Sequence, residues 1–140
     1  LGISQIVWST VAQGVLTGKY APGQAPPAGS RATDDKGGAK MIERFMTDDV
    51  LGAVQGLKPV AADLGISMAQ LAIAWVLAND NVAAAIIGAS RPEQVHENAA
   101  ASEVQIPADV MTRIDEILGG VVERDPIRTS ETAPKRRPGS

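Results

Sequence analysis

The segment Gly88-Ala-Ser-Arg-Pro-Glu-Gln-Val-His-Glu-Asn98 carries the residue types needed to hold an anion. A buried apolar run ends at Gly88, and Ser90 and Arg91 then stand where a helix begins. Free amide hydrogens, the positive end of the helix dipole and a guanidinium fork would face one point there. A phosphate suits that arrangement, but Ser90 would also be a plain N-cap with Pro92 in the first turn, needing no ligand at all. On the same helix Gln94, Glu97 and Asn98 lie within about one turn, so they either converge toward whatever Arg91 holds or form an ordinary solvated face. The second segment is Trp8-Ser-Thr-Val-Ala-Gln-Gly-Val-Leu-Thr-Gly-Lys-Tyr20. A Trp at the carboxyl end of a strand can stack on a flat heterocycle or pack into a core, and both readings stay open for Trp8.

These groups need a scaffold, and composition bounds it. The chain has 140 residues, 44% hydrophobic and 21% charged, consistent with one globular domain with an apolar core. A formal net charge of −3 argues against a nucleic-acid binder, whose affinity rests on clustered positive charge. The absence of cysteine removes disulfides, thiolate metal sites and Cys nucleophiles, and the single His96 removes any site built on two imidazoles. No apolar run approaches the roughly 20 residues that a membrane helix needs. The expected setting is cytoplasmic, without membrane insertion. Leu1 stands where a Met would begin a chain and a strand-like segment follows at once, as expected inside a longer protein.

Ile3 to Trp8 is β-branched and aromatic over a short span, which predicts a strand feeding a loop. Ala21 to Lys40, rich in Pro and Gly, is expected to be a long surface loop with a function of its own. From Thr47 apolar residues recur at helical spacing through Val50, Leu51, Val54, Leu57, Val60, Ala61 and Leu64, with Gly65 as a left-handed stop. Pro59 inside that pattern predicts a kink near Gln55 to Leu57 or two short helices. Ser67-Met-Ala-Gln70 is a capping box opening a helix to about Ala78, apolar on nearly every side and hence packed between other elements. Val82 to Ile87 reads as a strand buried on both faces, and helices are expected over Pro92 to Ala101 and Pro107 to Leu118. From residue 123 the Pro, Ser, Thr and Arg content predicts a disordered tail, with Lys135 to Arg137 serving solubility. Right-handed crossover logic makes the strands parallel neighbours. Two strands cannot shield one another, whereas a barrel of this type needs about 250 residues, so a fragment is expected.

Trp8-Ser9, Ala12, Gly14, Gly18-Lys19-Tyr20, then Ser30-Arg31-Ala32, Gln70-Leu-Ala-Ile-Ala-Trp75 and Ile87-Gly-Ala-Ser-x-x-Glu-Gln-x-x-Glu-Asn98 together resemble the carboxyl-terminal part of an aldo-keto reductase. Within that superfamily the chain is most similar to the branch with the β subunits of voltage-gated potassium channels and their bacterial relatives. The resemblance covers roughly Leu1 to Gly119 and departs from the commoner Pro-Leu at Thr10-Val11.

The resemblance implies an α/β fold, the last two parallel strands of an NADP(H)-binding (β/α)8 TIM barrel with their helices and a long cofactor-covering loop. It implies that residues 1–122 are that barrel portion. Trp8 would stack on the nicotinamide, and Ser9, Val11, Ala12 and Gln13 would line the pyrophosphate, covered by Lys19 and Arg31. Gly88, Ser90 and Arg91 would hold the 2′-phosphate, with Gln94, Glu97 and Asn98 around the adenine and its ribose. The family's Tyr, Lys, Asp and His that protonate the carbonyl would lie outside this sequence, so no catalytic residue is assigned here. Tyr20 is expected to pack and His96 to be solvated. The implied activity is reduction of aldehydes or ketones by hydride transfer. Its partners would be a small carbonyl substrate and either a homo-oligomer or a complementing amino-terminal half of the barrel. The alternatives are a nucleotide-sensing regulatory protein like the channel subunits, or a truncated product without function.

Overall fold

The computed structural model of the chain describes residues 4–131. Two strands, β1 (Gln5–Val7) and β2 (Val82–Ala85), pair in parallel, with Gln5 opposite Val82, Ile6 opposite Ala84 and Val7 opposite Ala85. The register slips between Gln5 and Ile6. The helices are α1 (Gly38–Ile42), α2 (Asp48–Gly56), α3 (Lys58–Asp63), α4 (Met68–Leu77), α5 (Pro92–Ala99), α6 (Ala108–Leu118) and α7 (Pro126–Glu131).

The long helical pattern after Thr47 breaks at Leu57, as Pro59 demands, because a proline cannot donate to a carbonyl four residues back. Pro59 sits instead in the first turn of α3, where its missing hydrogen is harmless. The Thr47 hydroxyl caps α2 by accepting from the Val50 amide. The Ser67–Gln70 capping box is present in full: the Gln70 amide donates to Ser67 Oγ at 3.2 Å and the Ser67 amide donates to Gln70 Oε1 at 3.0 Å. Gly65 closes the preceding turn at φ +68, a left-handed conformation that costs glycine nothing.

Two apolar clusters hold these helices. One gathers Leu57, Val60, Ala61, Leu71, Ile114 and Leu118, from the α2–α3 junction, α3, α4 and α6. The other gathers Val15, Tyr20, Ile42, Leu51 and Val54, and so ties the turn after β1 to α1 and α2. Leu16 and Met68 pack against both. Leu71 to Ala74 of α4 are all buried, which agrees with a helix packed between other elements. Among the described residues no single helix is long and apolar enough to cross a membrane, and the one pair that passes together, Asp48–Asp63 with Met68–Leu77, is bent by 91°.

Three expectations are corrected. The strands are shorter than expected: β1 runs only over Gln5–Val7, leaving out Ser4 and Trp8, with Ile3 outside the described residues, and β2 ends at Ala85, short of Ile87. The sheet is not buried on both faces: Ala83 and Ala84 are exposed, as are Ile6 and Ile86. With two strands, and no third among the described residues, much of it has nothing to lie against. The segment from residue 123 contains α7, anchored where Arg128 meets Glu123 at 3.3 Å and Arg124 meets Asp115 at 2.8 Å. Lys135 to Arg137 lie outside the described residues.

Candidate cofactor site

The two segments singled out by their residue types meet because the strands run parallel: their carboxyl ends share one edge of the sheet. The Ile86 amide donates to the Val7 carbonyl at 2.7 Å, which sets the residues after Val7 beside those leading to Gly88. Trp8, directly past β1, is 69% exposed, so within this chain its ring is presented rather than packed.

The turn that follows is backbone under strain. Ser9 (φ 61), Ala12 (φ 47) and Gln13 (φ 58) all occupy the left-handed region, and Gly14 follows at φ 100. Each such non-glycine residue costs on the order of 1 kcal/mol or more, and such outliers concentrate where a ligand is gripped. The turn is cross-braced by Gln13 Nε2 donating to Ser9 Oγ at 3.0 Å and by Thr17 Oγ1 donating to the Gly14 carbonyl at 2.7 Å. Val15 anchors it in the core. Val11, Ala12, Gln13 and Ser9 are half-buried along this turn. The Thr10 hydroxyl is buried there without a hydrogen-bond partner among the described residues, an unpaired donor beside the groups expected to meet a pyrophosphate.

Lys19 stands against the turn. Lys19 is exposed, and its Nζ would stand 3.4 Å from a Cβ placed on Gly14 and lies 5.4 Å from the centre of the Tyr20 ring. Arg31 is exposed in the long loop, its Nη1 3.8 Å from Met41 Sδ. Tyr20 is 2% exposed with its hydroxyl buried, so it packs, as expected, and has no access to a reacting group. The loop from Ala21 is less extended than expected: Arg31–Thr33 form a helical turn and Gly38 opens α1.

On the β2 side Gly88, Ser90 and Arg91 are exposed at the entry to α5, with Pro92 in the first turn. The N-cap, however, is Arg91 and not Ser90. Arg91 is the extended residue (φ −143, ψ 146), and the Ser90 amide and hydroxyl both donate to Gln94 Oε1, at 2.8 and 3.1 Å. A glutamine three residues past the cap reaches back as an acceptor for Ser90, which stands one residue outside the helix, while the Arg91 cap itself makes no side-chain hydrogen bond. Gln94 thus points toward Ser90, the Glu97 carbonyl accepts from Gln70 Nε2 at 3.0 Å, and Asn98 is half-buried. That last bond fastens α5 to the capping box of α4. His96 is exposed, as expected.

A profile of the aldo/keto reductase family matches residues 1–119. The chain belongs to that family. Its similar relatives include a probable voltage-gated potassium channel subunit beta of Oryza sativa subsp. japonica, 43% identical over 91% of this chain and 38% of the relative. A protein of the same name in Arabidopsis thaliana is 41% identical over 84% of the chain and 36% of the relative. A putative voltage-gated potassium channel subunit beta of Schizosaccharomyces pombe (strain 972 / ATCC 24843) is 38% identical, covering 84% and 34%. The chain therefore spans little more than a third of the length of these curated relatives. The family implies a (β/α)8 barrel, and the parallel β1–β2 pair with its helices has the corresponding α/β character.

The residue that sequence patterning missed is Gln55. Its Nε2 donates to the carbonyls of Tyr20 at 2.6 Å and Gly18 at 3.1 Å, across 35 and 37 residues of chain. The available signal was an uncharged amide set between Val54 and Leu57 on an otherwise apolar helix face.

Proposed function

We propose that this chain is the carboxyl-terminal, cofactor-holding portion of an NADP(H)-dependent aldo/keto reductase barrel that reduces aldehydes or ketones in the cytoplasm. The observation that carries the reading is the strained Ser9–Gly14 turn at the carboxyl end of β1, held beside the carboxyl end of β2. In barrels of this class the carboxyl ends of the strands are where functional groups gather.

The residues present fit the cofactor. Trp8 offers an exposed ring for the nicotinamide, and Ser9, Val11, Ala12 and Gln13 form a tight turn with an unpaired buried hydroxyl at Thr10. Lys19 and Arg31 bring positive charge for the pyrophosphate. Gly88, Ser90 and Arg91 stand at the amino end of α5 for the 2′-phosphate, with Gln94, Glu97 and Asn98 on the same helix for the adenine and ribose. Bound there, the nicotinamide supplies the hydride that reduces the carbonyl carbon. The chain's own residues orient the ring, neutralise the phosphates and exclude water from the stacked face. Proton donation is assigned to the Tyr, Lys, Asp and His that the family resemblance places on earlier strands, and Tyr20, which is buried, takes no part in it.

A second reading has its own support, since the relatives carry the name of a voltage-gated potassium channel subunit beta. In that reading the same cofactor site reports nucleotide redox state through assembly with a channel. Association with a channel that changes between NADPH and NADP+ favours it over a free reductase.

Tryptophan emission tests the site. NADPH titrated into the protein should quench emission, Trp8→Phe should abolish most of the quench, and Trp75→Phe should preserve it. Quenching that survives Trp8→Phe places the nicotinamide elsewhere.

A further inference from the structure

Lys19 faces the strained turn, but a lysine side chain has four rotatable carbons and no fixed direction of its own. What fixes it lies in the backbone on either side. Gly18 is buried at φ +74, a left-handed conformation that strains any residue carrying a side chain. Tyr20 is locked in the core with Val15, Ile42, Leu51 and Val54. The carbonyls of those same two residues, one before Lys19 and one after it, both accept from the single nitrogen Gln55 Nε2, at 3.1 and 2.6 Å.

We propose that Gln55 is a positioning residue for Lys19: its carboxamide clamps the Gly18–Tyr20 turn so that the ammonium stands against Gly14, where the pyrophosphate would lie. The inference rests on the cofactor reading above. A primary amide suits the task because its nitrogen carries two hydrogens, enough for both carbonyls, with no charge of its own to compete for the phosphate. Glutamate has the same length and no donor, and would set a carboxylate against two carbonyl oxygens. The clamp comes from α2, which Leu51 and Val54 bury, so the lysine's direction is referred to the rigid core rather than to the loop.

The test is a double-mutant cycle on NADPH affinity with Gln55→Glu and Lys19→Met, paired with acetylation of unliganded protein by acetic anhydride, read peptide by peptide. Lys19→Met should weaken NADPH about tenfold, the scale of one charge-assisted contact. Gln55→Glu should weaken it severalfold when Lys19 is present and by less than twofold when it is absent. Acetylation of Lys19 relative to Lys36 and Lys40 should rise at least threefold in Gln55→Glu. Should Gln55→Glu fail to fold, Gln55→Leu, which keeps the bulk and loses the donors, enters the same cycle. An equal loss with and without Lys19, or an unchanged acetylation ratio, overturns the positioning role while leaving the cofactor reading intact. No effect of Lys19→Met on NADPH, alongside a raised acetylation ratio, overturns the assignment of Lys19 to the cofactor and the functional half of the proposal with it.

Discussion

The Ile86 amide and the Val7 carbonyl are 2.7 Å apart, and this bond, past the last residue of β2, joins two segments that are nearly eighty residues apart in sequence. It brings the Trp8 turn and the Ser90–Arg91 helix entry to one edge. Under the proposed function an extended ligand would lie along that edge, since neither segment alone offers both a flat ring and an anion end.

Loss of the exposed ring should be felt by the ligand and not by the fold. Trp8→Ala is expected to weaken NADPH by about 1 to 3 kcal/mol, the scale of one stacked aromatic partner, in any form of the protein that binds the cofactor. Thermal unfolding should stay close to wild type, because Trp8 is 69% exposed. A large fall in melting temperature with unchanged affinity would reject stacking.

Chemistry should require more than this chain. The 140 residues alone are expected to show no NADPH-dependent reduction of any aldehyde or ketone, and the exposed Ile6 and Ile86 should promote self-association. Steady-state assays and sedimentation check both, and turnover by the purified chain sinks the assignment of the proton donor to other residues.

Gln70 should matter beyond its own helix. Its side chain completes the α4 cap and also donates to the Glu97 carbonyl of α5. Gln70→Ala is expected to cost about 1 kcal/mol through the cap. Amide exchange in Pro92–Ala99 should rise with it; if only α4 loosens, the link to α5 is not a working one.

Acid should loosen the segment that carries α7 before the rest. The Asp125 amide, donating to the Glu123 carboxylate, and then the Arg128 charge hold the Glu123 pKa below its ordinary 4.5. A depressed carboxylate stabilises above its unfolded value and loses that contribution as pH falls through the folded one. Amide shifts of Asp125 should therefore titrate below pH 4.5 while those of α4 stay fixed; coincident titration of both argues against a local event.

Much of this was legible because it is local. Pro59 dictated the break between α2 and α3, and Ser67 with Gln70 dictated the start of α4, since each signal acts within one turn. The parallel pairing of β1 and β2 was legible from crossover handedness. What escaped needed tertiary knowledge. The alanine-rich run from Val82 could not reveal that its strand ends at Ala85, nor that Ala83 and Ala84 stay exposed. Ser90 looked like the cap, but it stands one residue outside the helix, donating to Gln94 Oε1, and the extended residue at the cap is Arg91. Gln55 reaches the Gly18–Tyr20 turn across 35 residues or more, a distance no periodicity encodes.

Recognition of NADP(H) by the edge that β1 and β2 share is decided at the one group that distinguishes this cofactor from NAD(H), the 2′-phosphate. Arg91, exposed at the start of α5, is the assigned partner. Wild-type protein and Arg91→Ala are titrated with NADPH and with NADH at one fixed ionic strength. Tighter binding of NADPH by wild type is expected, together with a loss of about 1.5 to 3 kcal/mol for NADPH in the variant, the range of a charge-assisted hydrogen bond, with NADH nearly unchanged. Equal losses for the two cofactors, or no preference in wild type, would contradict it.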